Sequence, residues 1–395
     1  MNIIYDQVKM PEGHDNYLPV NLTAETMEQH RQNVLARMQE KNLDTLLIYA
    51  DREHGSNYAY LTGFEPRFEE SVLILHLDGT CYLMLGNENM KMCAYSYIKA
   101  KAVHVPHFSL PYQPMDTEKS LDQLFEEAGI VNGQRIGFVG WKLFTSKYED
   151  NRTLLDAPAF ITDTVRRLNP SGSIENAADI FLDPETGLRT YMNANEIAHL
   201  EYGAGLASSR MLRALNAVEP GKTELQIADL LSACGQPVTV TTICATGDRF
   251  TDAVVFPRNK QIRLGDKFSM TLALRGGLTS RAAYVAEKRE DLPEKVQDYM
   301  ERVAIPYYQA AVHWYETAGI GVTGGELYDQ TEELLPKETY HWVLNPGHST
   351  GVDEWVASPV YPGSRIPLAS GMMMQMDIIP SVAGSQCRGW CCYCR

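Results

Sequence analysis

The 395-residue chain predicts two domains in succession: an α/β domain with a mixed sheet over residues 1–182, and an α+β domain over 183–395. Three observations predict this. Two apolar runs flank Asp78-Gly79, a strong hairpin signal, in a first half that otherwise alternates helical and strand patterns. A turn-rich patch, Leu182-Asp-Pro-Glu-Thr-Gly187, separates patterned segments. Beyond it Ile197, Leu200, Ala204, Ala207, Met211, Leu215 and Val218 recur at three- and four-residue spacings, the stripe of a helix packed on one face. Length suffices for a substantial core in each half.

The elements follow in order. Thr26 with Gln29 reads as a capping box, and Met27, Val34, Leu35 and Met38 share one helical face that ends near Asn42. Thr45-Leu-Leu-Ile-Tyr49 is a buried strand. Ser71-Val-Leu-Ile-Leu-His-Leu77 and Thr80-Cys-Tyr-Leu-Met-Leu85 are the arms of the hairpin. Leu121-Asp-Gln-Leu-Phe-Glu-Glu127 is a helix, and Ile136-Gly-Phe-Val139 a strand after Gly133. In the second half, helix 195–217 backs a curved antiparallel sheet. Pro220-Gly221 ends that helix, and Thr223 with Gln226 caps the next. Met372-Met-Met-Gln-Met376 reads as a buried core strand. No internal repeat is visible.

Composition excludes some functions. A hydrophobic fraction of 44% with 22% charged residues is that of a globular protein. The net charge of −15 argues against nucleic acid and anionic membranes as partners. The N-terminus lacks the basic and apolar runs of a signal peptide, and no stretch has the length of a membrane span, so a cytoplasmic location is expected. Cys81, Cys93, Cys234 and Cys244 stand in apolar contexts and read as reduced core thiols. Four more crowd the tail as Cys387, Cys391, Cys392 and Cys394, without zinc-ligand spacing. Read one base later, the codons for Ser385 to Cys394 permit Ala-Ser-Ala-Glu-Asp-Gly-Val-Val-Ile-Ala. The atypical segment from about 385 is therefore expected to be an out-of-frame version of a longer parent, which sequencing of the coding DNA tests.

Two stretches carry the chemistry: Leu264-Gly265-Asp266 through Tyr284, and Asn345-Pro-Gly-His348 through Pro380. With Asn57-Tyr-Ala-Tyr60-Leu61-Thr62-Gly63-Phe64, Arg189 and Glu196-Ile197, they resemble the pita-bread hydrolases: prolidase, aminopeptidase P, methionine aminopeptidase and creatinase. The resemblance runs from about Thr23 to Pro380. It implies an α/β creatinase/prolidase-like N-terminal domain followed by an α+β pita-bread C-terminal domain, and a homodimer.

That family writes Leu-x-x-Gly-Asp-x-x-x-x-Asp, Gly-Tyr-x-Ser-Asp, Gly-His-Gly-x-Gly, Gly-Met-x-x-x-x-Glu-Pro and a closing Glu-Asp. Here the first Asp falls on Thr271 and the second on Arg281. The His is kept as His348, the first Glu is shortened to Asp377, and the last finds no counterpart before Arg395. A slipped register between Gly265 and Tyr284 would instead offer Glu287 as a ligand. Two adjacent divalent ions need bridging carboxylates, whereas Thr271 offers a neutral hydroxyl and a guanidinium at Arg281 repels cations. The resemblance thus implies a hydrolase scaffold that has lost its metals, with no metal and no cofactor.

Other family positions have also changed. Residues 253–261 carry no His where relatives have one, and the second His of the pattern falls on Trp355, with Val356 after it. Acid–base work is left to His348, Asp353, Glu354 or Asp377. His348 is either a base or a structural group that donates to a backbone carbonyl and packs under Trp355.

The candidate catalytic residues are therefore His348, Asp377 and Arg281, with Arg67, Thr271, Glu354 and Trp355 as candidate ligand contacts. The resemblance would bring Arg67 to a ligand carboxylate from a neighbouring subunit. Arg281 is expected to pair directly with Asp377 at about 2.7–3.2 Å, where the metals would sit. Three functions are compatible: a metal-depleted homologue binding a small amide, peptide or amidino compound with weak or no turnover; an active hydrolase with a rearranged mechanism; and a non-enzymatic dimeric scaffold.

Overall fold

A computed structural model describes residues 17–115, 118–252 and 256–382, with a few isolated positions before 17. The Cys-rich tail and residues 253–255 lie outside the described residues. The chain forms two compact units, Leu22–Thr190 and Met1–Asn21 with Tyr191–Arg395. The break falls a little beyond the turn-rich patch because residues 183–190 fold back on the first unit. Leu188 N donates to Ile180 O (2.8 Å), and the Arg189 guanidinium donates to Asn57 Oδ1 (2.8 Å).

The first unit runs α1 (Ala24–Glu40), β1 (Thr45–Ala50), α2 (Ser56–Thr62), β2 (Ser71–His76), β3 (Cys81–Leu85), β4 (Lys101–His104), α3 (Leu121–Glu127), β5 (Arg135–Val139), α4 (Ala159–Leu168), β6 (Ser173–Asn176) and α5 (Asp179–Leu182). Its sheet has the order β4-β3-β2-β1-β5-β6 and is mixed, as expected: β1–β2 and β2–β3 are antiparallel, the rest parallel. Every residue of β1 is buried, because both faces of this central strand are covered. Leu47, Tyr49, Val72, Ile74 and Phe138 pack with Leu124 and Phe125 of α3 and Ile161 and Val165 of α4. Gly79 turns the hairpin at φ 87°. The cap of α1 differs from expectation. Thr23, not Thr26, caps it, accepting from Thr26 N at 3.2 Å, and Gln29 donates outward to Asn33.

The second unit runs α6 (Ala194–Ala217), α7 (Glu224–Asp229), β7 (Val238–Thr246), β8 (Lys267–Leu274), β9 (Gly277–Tyr284), α8 (Ile305–Thr317), α9 (Gly324–Leu334), α10 (Lys337–Tyr340), β10 (His348–Ser349) and β11 (Met374–Gln375). Strands β7-β8-β9 form an antiparallel sheet, and β10-β11 a separate antiparallel pair. Of the predicted stripe, Leu200, Ala207 and Met211 are buried and Ile197, Ala204 and Leu215 half-buried; Ala207 and Met211, with Leu206 and Ala214 from outside the stripe, pack on Phe268, Met270, Leu272 and Leu274 of β8. A second core gathers Tyr307, Trp314, Leu327, Trp342 and Ile378. Met372, Met374 and Met376 only line that core half-buried, since two residues of this run are in strand. Cys81 and Cys244 are buried, but Cys234 is exposed, which corrects its reading as a core thiol. No helix among the described residues is long and apolar enough to cross a membrane.

Helix α6 approaches the β8–β9 turn closely. A Cβ on Gly203 would lie 2.0 Å from Arg275 O, and one on Gly276 (φ 102°) 2.0 Å from Leu200 O. Both obstacles are backbone, so the helix would have to lift. Gly203→Ala is expected to cost about 1–3 kcal/mol by overpacking. A urea midpoint within error of the parent would contradict this close approach.

The structure also shows a repeat that the sequence conceals. Gly221 (φ 94°) and Gly321 (φ 91°) precede Thr223 and Thr323, each the N-cap of its helix in a complete capping box. Gly221 N donates to Ile262 O and Gly321 N to Leu368 O. Ile262 N and Leu368 N return the bond to Lys222 O and Val322 O. Isolated bridges join Thr223 to Gln261 and Thr323 to Pro367. Side chains around the two latches have diverged, so pattern matching alone does not find them.

Candidate functional site

Pairing of β10 with β11 sets His348 opposite Gln375. Asp377 follows two residues on. Two bonds, Ser349 N to Ala357 O (2.7 Å) and Val356 N to Ser349 O (2.9 Å), fold the next residues back as a loop that carries Glu354 and Trp355. His348 is fully buried and its ring stacks on Trp355, centroids 4.1 Å apart at 16°. Its Nδ1 donates to Ser349 O at 3.2 Å, and Nε2 faces the rest of the cluster. Around Nε2 stand Glu354 Oε1 at 3.3 Å, Gln375 Nε2 at 3.3 Å and Asp377 Oδ2 at 3.7 Å. Gln375 donates to Glu354 Oε1 (3.0 Å), and its own oxygen accepts from Leu278 N (2.9 Å). Both structural contacts expected of His348, the carbonyl and the indole, are therefore present, and they hold it at the centre of an acidic cluster.

Asp377 is 8% exposed, and its Oδ2 has no hydrogen-bond partner. Burial pushes its carboxyl up to about 6; His348 opposes the shift and Glu354 adds to it. The expected Arg281–Asp377 pair does not form, because the ion-pair partner of Asp377 is His348. The reason is strand parity. The Arg275-Gly276 turn registers Thr271 with Ser280 and Met270 with Arg281. Arg281 therefore lies on the opposite face from Thr271. It donates to Ser280 O (2.6 Å) and borders a cavity of about 670 Å³ with Leu215, Met270, Tyr284 and Tyr299. Glu287 is exposed beyond the end of β9.

Thr271 and Ser280, both buried, share a hydroxyl–hydroxyl hydrogen bond of 2.8 Å. So the hairpin presents two neutral oxygens bonded to each other where the pita-bread pattern has two carboxylates. This does not fit a two-ion centre. One ligand atom from each of His348, Glu354 and Asp377 does lie within 4.8 Å of the others, and these three could contact one small cation.

Arg67 belongs to the first unit, where it donates to Arg52 O (2.9 Å) and Glu65 (3.1 Å). Sequence reasoning missed Gln375 and Ser280. Gln375 is the one polar residue in a run of methionines, and counting equally outward from Arg275-Gly276 reaches Thr271 and Ser280 together.

The comparisons bear on both units. Residues 30–166 match the Creatinase/Prolidase N-terminal domain family model. No curated protein matches the chain in sequence. Among solved structures, it is similar to the prolidase from Pyrococcus horikoshii OT3, at 17% identity and TM-score 0.66 over 89% of this chain and 90% of that one. The recombinant prolidase from Thermococcus sibiricus gives 16% identity and TM-score 0.67 over 91% and 95%. The X-Pro aminopeptidase from Thermotoga maritima MSB8 gives 14% and 0.65 over 90% and 91%. The chain therefore has the full-length fold of prolidases and aminopeptidase P.

Proposed function

We propose that this protein is a metal-depleted homologue of Xaa-Pro peptidases, one that binds a small amide, peptide or amidino compound beside His348 with weak or no hydrolysis. The observation that carries this reading is the Thr271–Ser280 hydroxyl pair. Without bridging carboxylates the hairpin cannot hold the ion pair that would activate water. The remaining groups suit recognition. Glu354 and Asp377 offer acceptors to an ammonium, amide or amidinium N–H, and Trp355 presents an aromatic wall. His348 and Asp377 are the groups able to exchange a proton with a ligand there. The same proposal makes the protein a homodimer in which Arg67 meets the ligand's carboxylate from the neighbouring copy.

Calorimetric titration with Xaa-Pro dipeptides and creatine, in chelator, tests the reading alongside a turnover assay and sedimentation at micromolar concentration. Saturable binding with turnover near background is expected. A kcat on the order of 10 s⁻¹, typical of enzymes, would establish the active-hydrolase alternative instead. Absence of binding by every ligand would favour the scaffold.

A further inference from the structure

We propose that the cavity bordered by Arg281 binds a small amphipathic anion, an apolar molecule that ends in a carboxylate, with the Arg281 guanidinium as its anchor. The site is on the face of the β8–β9 hairpin opposite Thr271 and Ser280. It shares no residue with the His348 cluster, so it stands or falls independently of the ligand read there.

Strand parity builds the wall. Phe268 pairs with Ala283 and Met270 with Arg281, so these four side chains share one face, and all four line the cavity. Leu215, near the end of α6, and Tyr299, from the segment that leads into α8, supply further apolar surface. The Tyr299 ring stands edge-on to Tyr284, centroids 5.1 Å apart at 77°, which makes a stiff aromatic corner. The enclosed space of about 670 Å³ has the size of a small-molecule site, and such sites combine apolar walls with a few placed polar groups.

Arg281 is the placed group. It is half-buried on the sheet, and its Nη1 is fixed on Ser280 O at 2.6 Å. A guanidinium keeps its charge in any surroundings, and its planar fork matches a carboxylate. The other charged residues lining the cavity are exposed and offset one another. Glu219 pairs with Lys222 at 3.0 Å, Arg289 pairs with Glu301 at 3.3 Å, and Glu287 adjoins Lys288. An anion is therefore the complement of the inner wall. The backbone beside the cavity is specialised as well. Met300–Ala304 winds as a π-helix, closed by Ile305 N on Met300 O, and both Met300 and Ile305 line the cavity. That winding is rare and concentrates at functional sites.

Calorimetric titration of the full chain with decanoate, and displacement of fluorescent anilinonaphthalene sulfonate by decanoate or decylamine, test this. One equivalent of decanoate is expected to bind and to displace the dye, while decylamine at equal concentration does not. Arg281→Gln is expected to weaken decanoate at least about tenfold and Arg281→Lys by less. Arg166→Gln on α4, which removes an equal charge from the first unit, should leave binding unchanged. Where Arg281→Gln fails to fold, Ala283→Phe takes its place, and by filling the space it should abolish saturable binding. No saturable binding by the full chain, as would follow if another part of the chain fills the cavity, overturns the proposal. So does equal displacement by decylamine, or decanoate binding indifferent to these substitutions in the cavity wall.

Discussion

Arg249→Ala is expected to lower the unfolding free energy of the second unit by about 3–5 kcal/mol, the cost of stranding a buried charge. The charge is Glu224, which is fully buried in the first turn of α7. Arg249 Nε lies 3.1 Å from both carboxylate oxygens, and Thr246 N and Arg258 N donate to them at 2.8 Å each. Glu224 thereby ties α7 to the segment after β7. With alanine at 249 the two backbone donors remain, but the countercharge is gone. A paired replacement, Glu224→Gln with Arg249→Met, should recover much of the loss, because no charge is then left in the interior. A loss below about 1 kcal/mol in urea unfolding would show that solvent reaches Glu224 and would remove its role as an anchor.

The second large effect has the opposite sign. In chelator at pH 7.5, Asp377→Asn is expected to stabilise the protein by up to about 3 kcal/mol, and at about pH 3 to leave it unchanged. Burial raises the Asp377 carboxyl from 3.8 to about 6, so the fold favours its protonated form. Below about 3.8 both folded and unfolded chains hold that proton. Between the two values the unfolded chain releases it first, and the contribution is lost as pH rises through about 6. Asparagine does not ionise, so the variant escapes this loss. Thermal melts of both proteins across about pH 3–8 measure it. Parallel curves would mean that Asp377 ionises in the fold as freely as in the open chain.

Local signals in the sequence were sufficient for much of the fold. The β2–β3 hairpin, α3, the stripe of α6 and the Thr223–Gln226 capping box each depend on residues a few positions apart, and each is present. The cap of α1 was displaced because Thr23 and Thr26 both offer a hydroxyl, and only the entry path of the chain decides between them. His348, Glu354, Trp355 and Asp377 were identified individually, and the fold brings them together. Arg281 was misplaced through parity. Matching it to a family position ignored that a one-residue change in hairpin length sends a side chain through the sheet. The repeated latch was invisible for a different reason. It is made of backbone bonds, and only its glycines and threonines leave a trace in sequence.

The two-residue ladder between β10 and β11 has a consequence in time as well as in space. So short a ladder supplies few hydrogen bonds against fraying, and local opening of a strand pair requires little more than their rupture. His348 is on one strand, while Gln375 and Asp377 are on or just beyond the other, so the site is intact only while the ladder is closed. Any molecule that grips both strands at once therefore binds the closed state alone and shifts the opening equilibrium by its own affinity. The amide proton of Thr350, which donates to Met373 O across this pair, and that of Gln375 would then report occupancy through slowed exchange with solvent, while those in the middle of β1 in the first unit keep their rates.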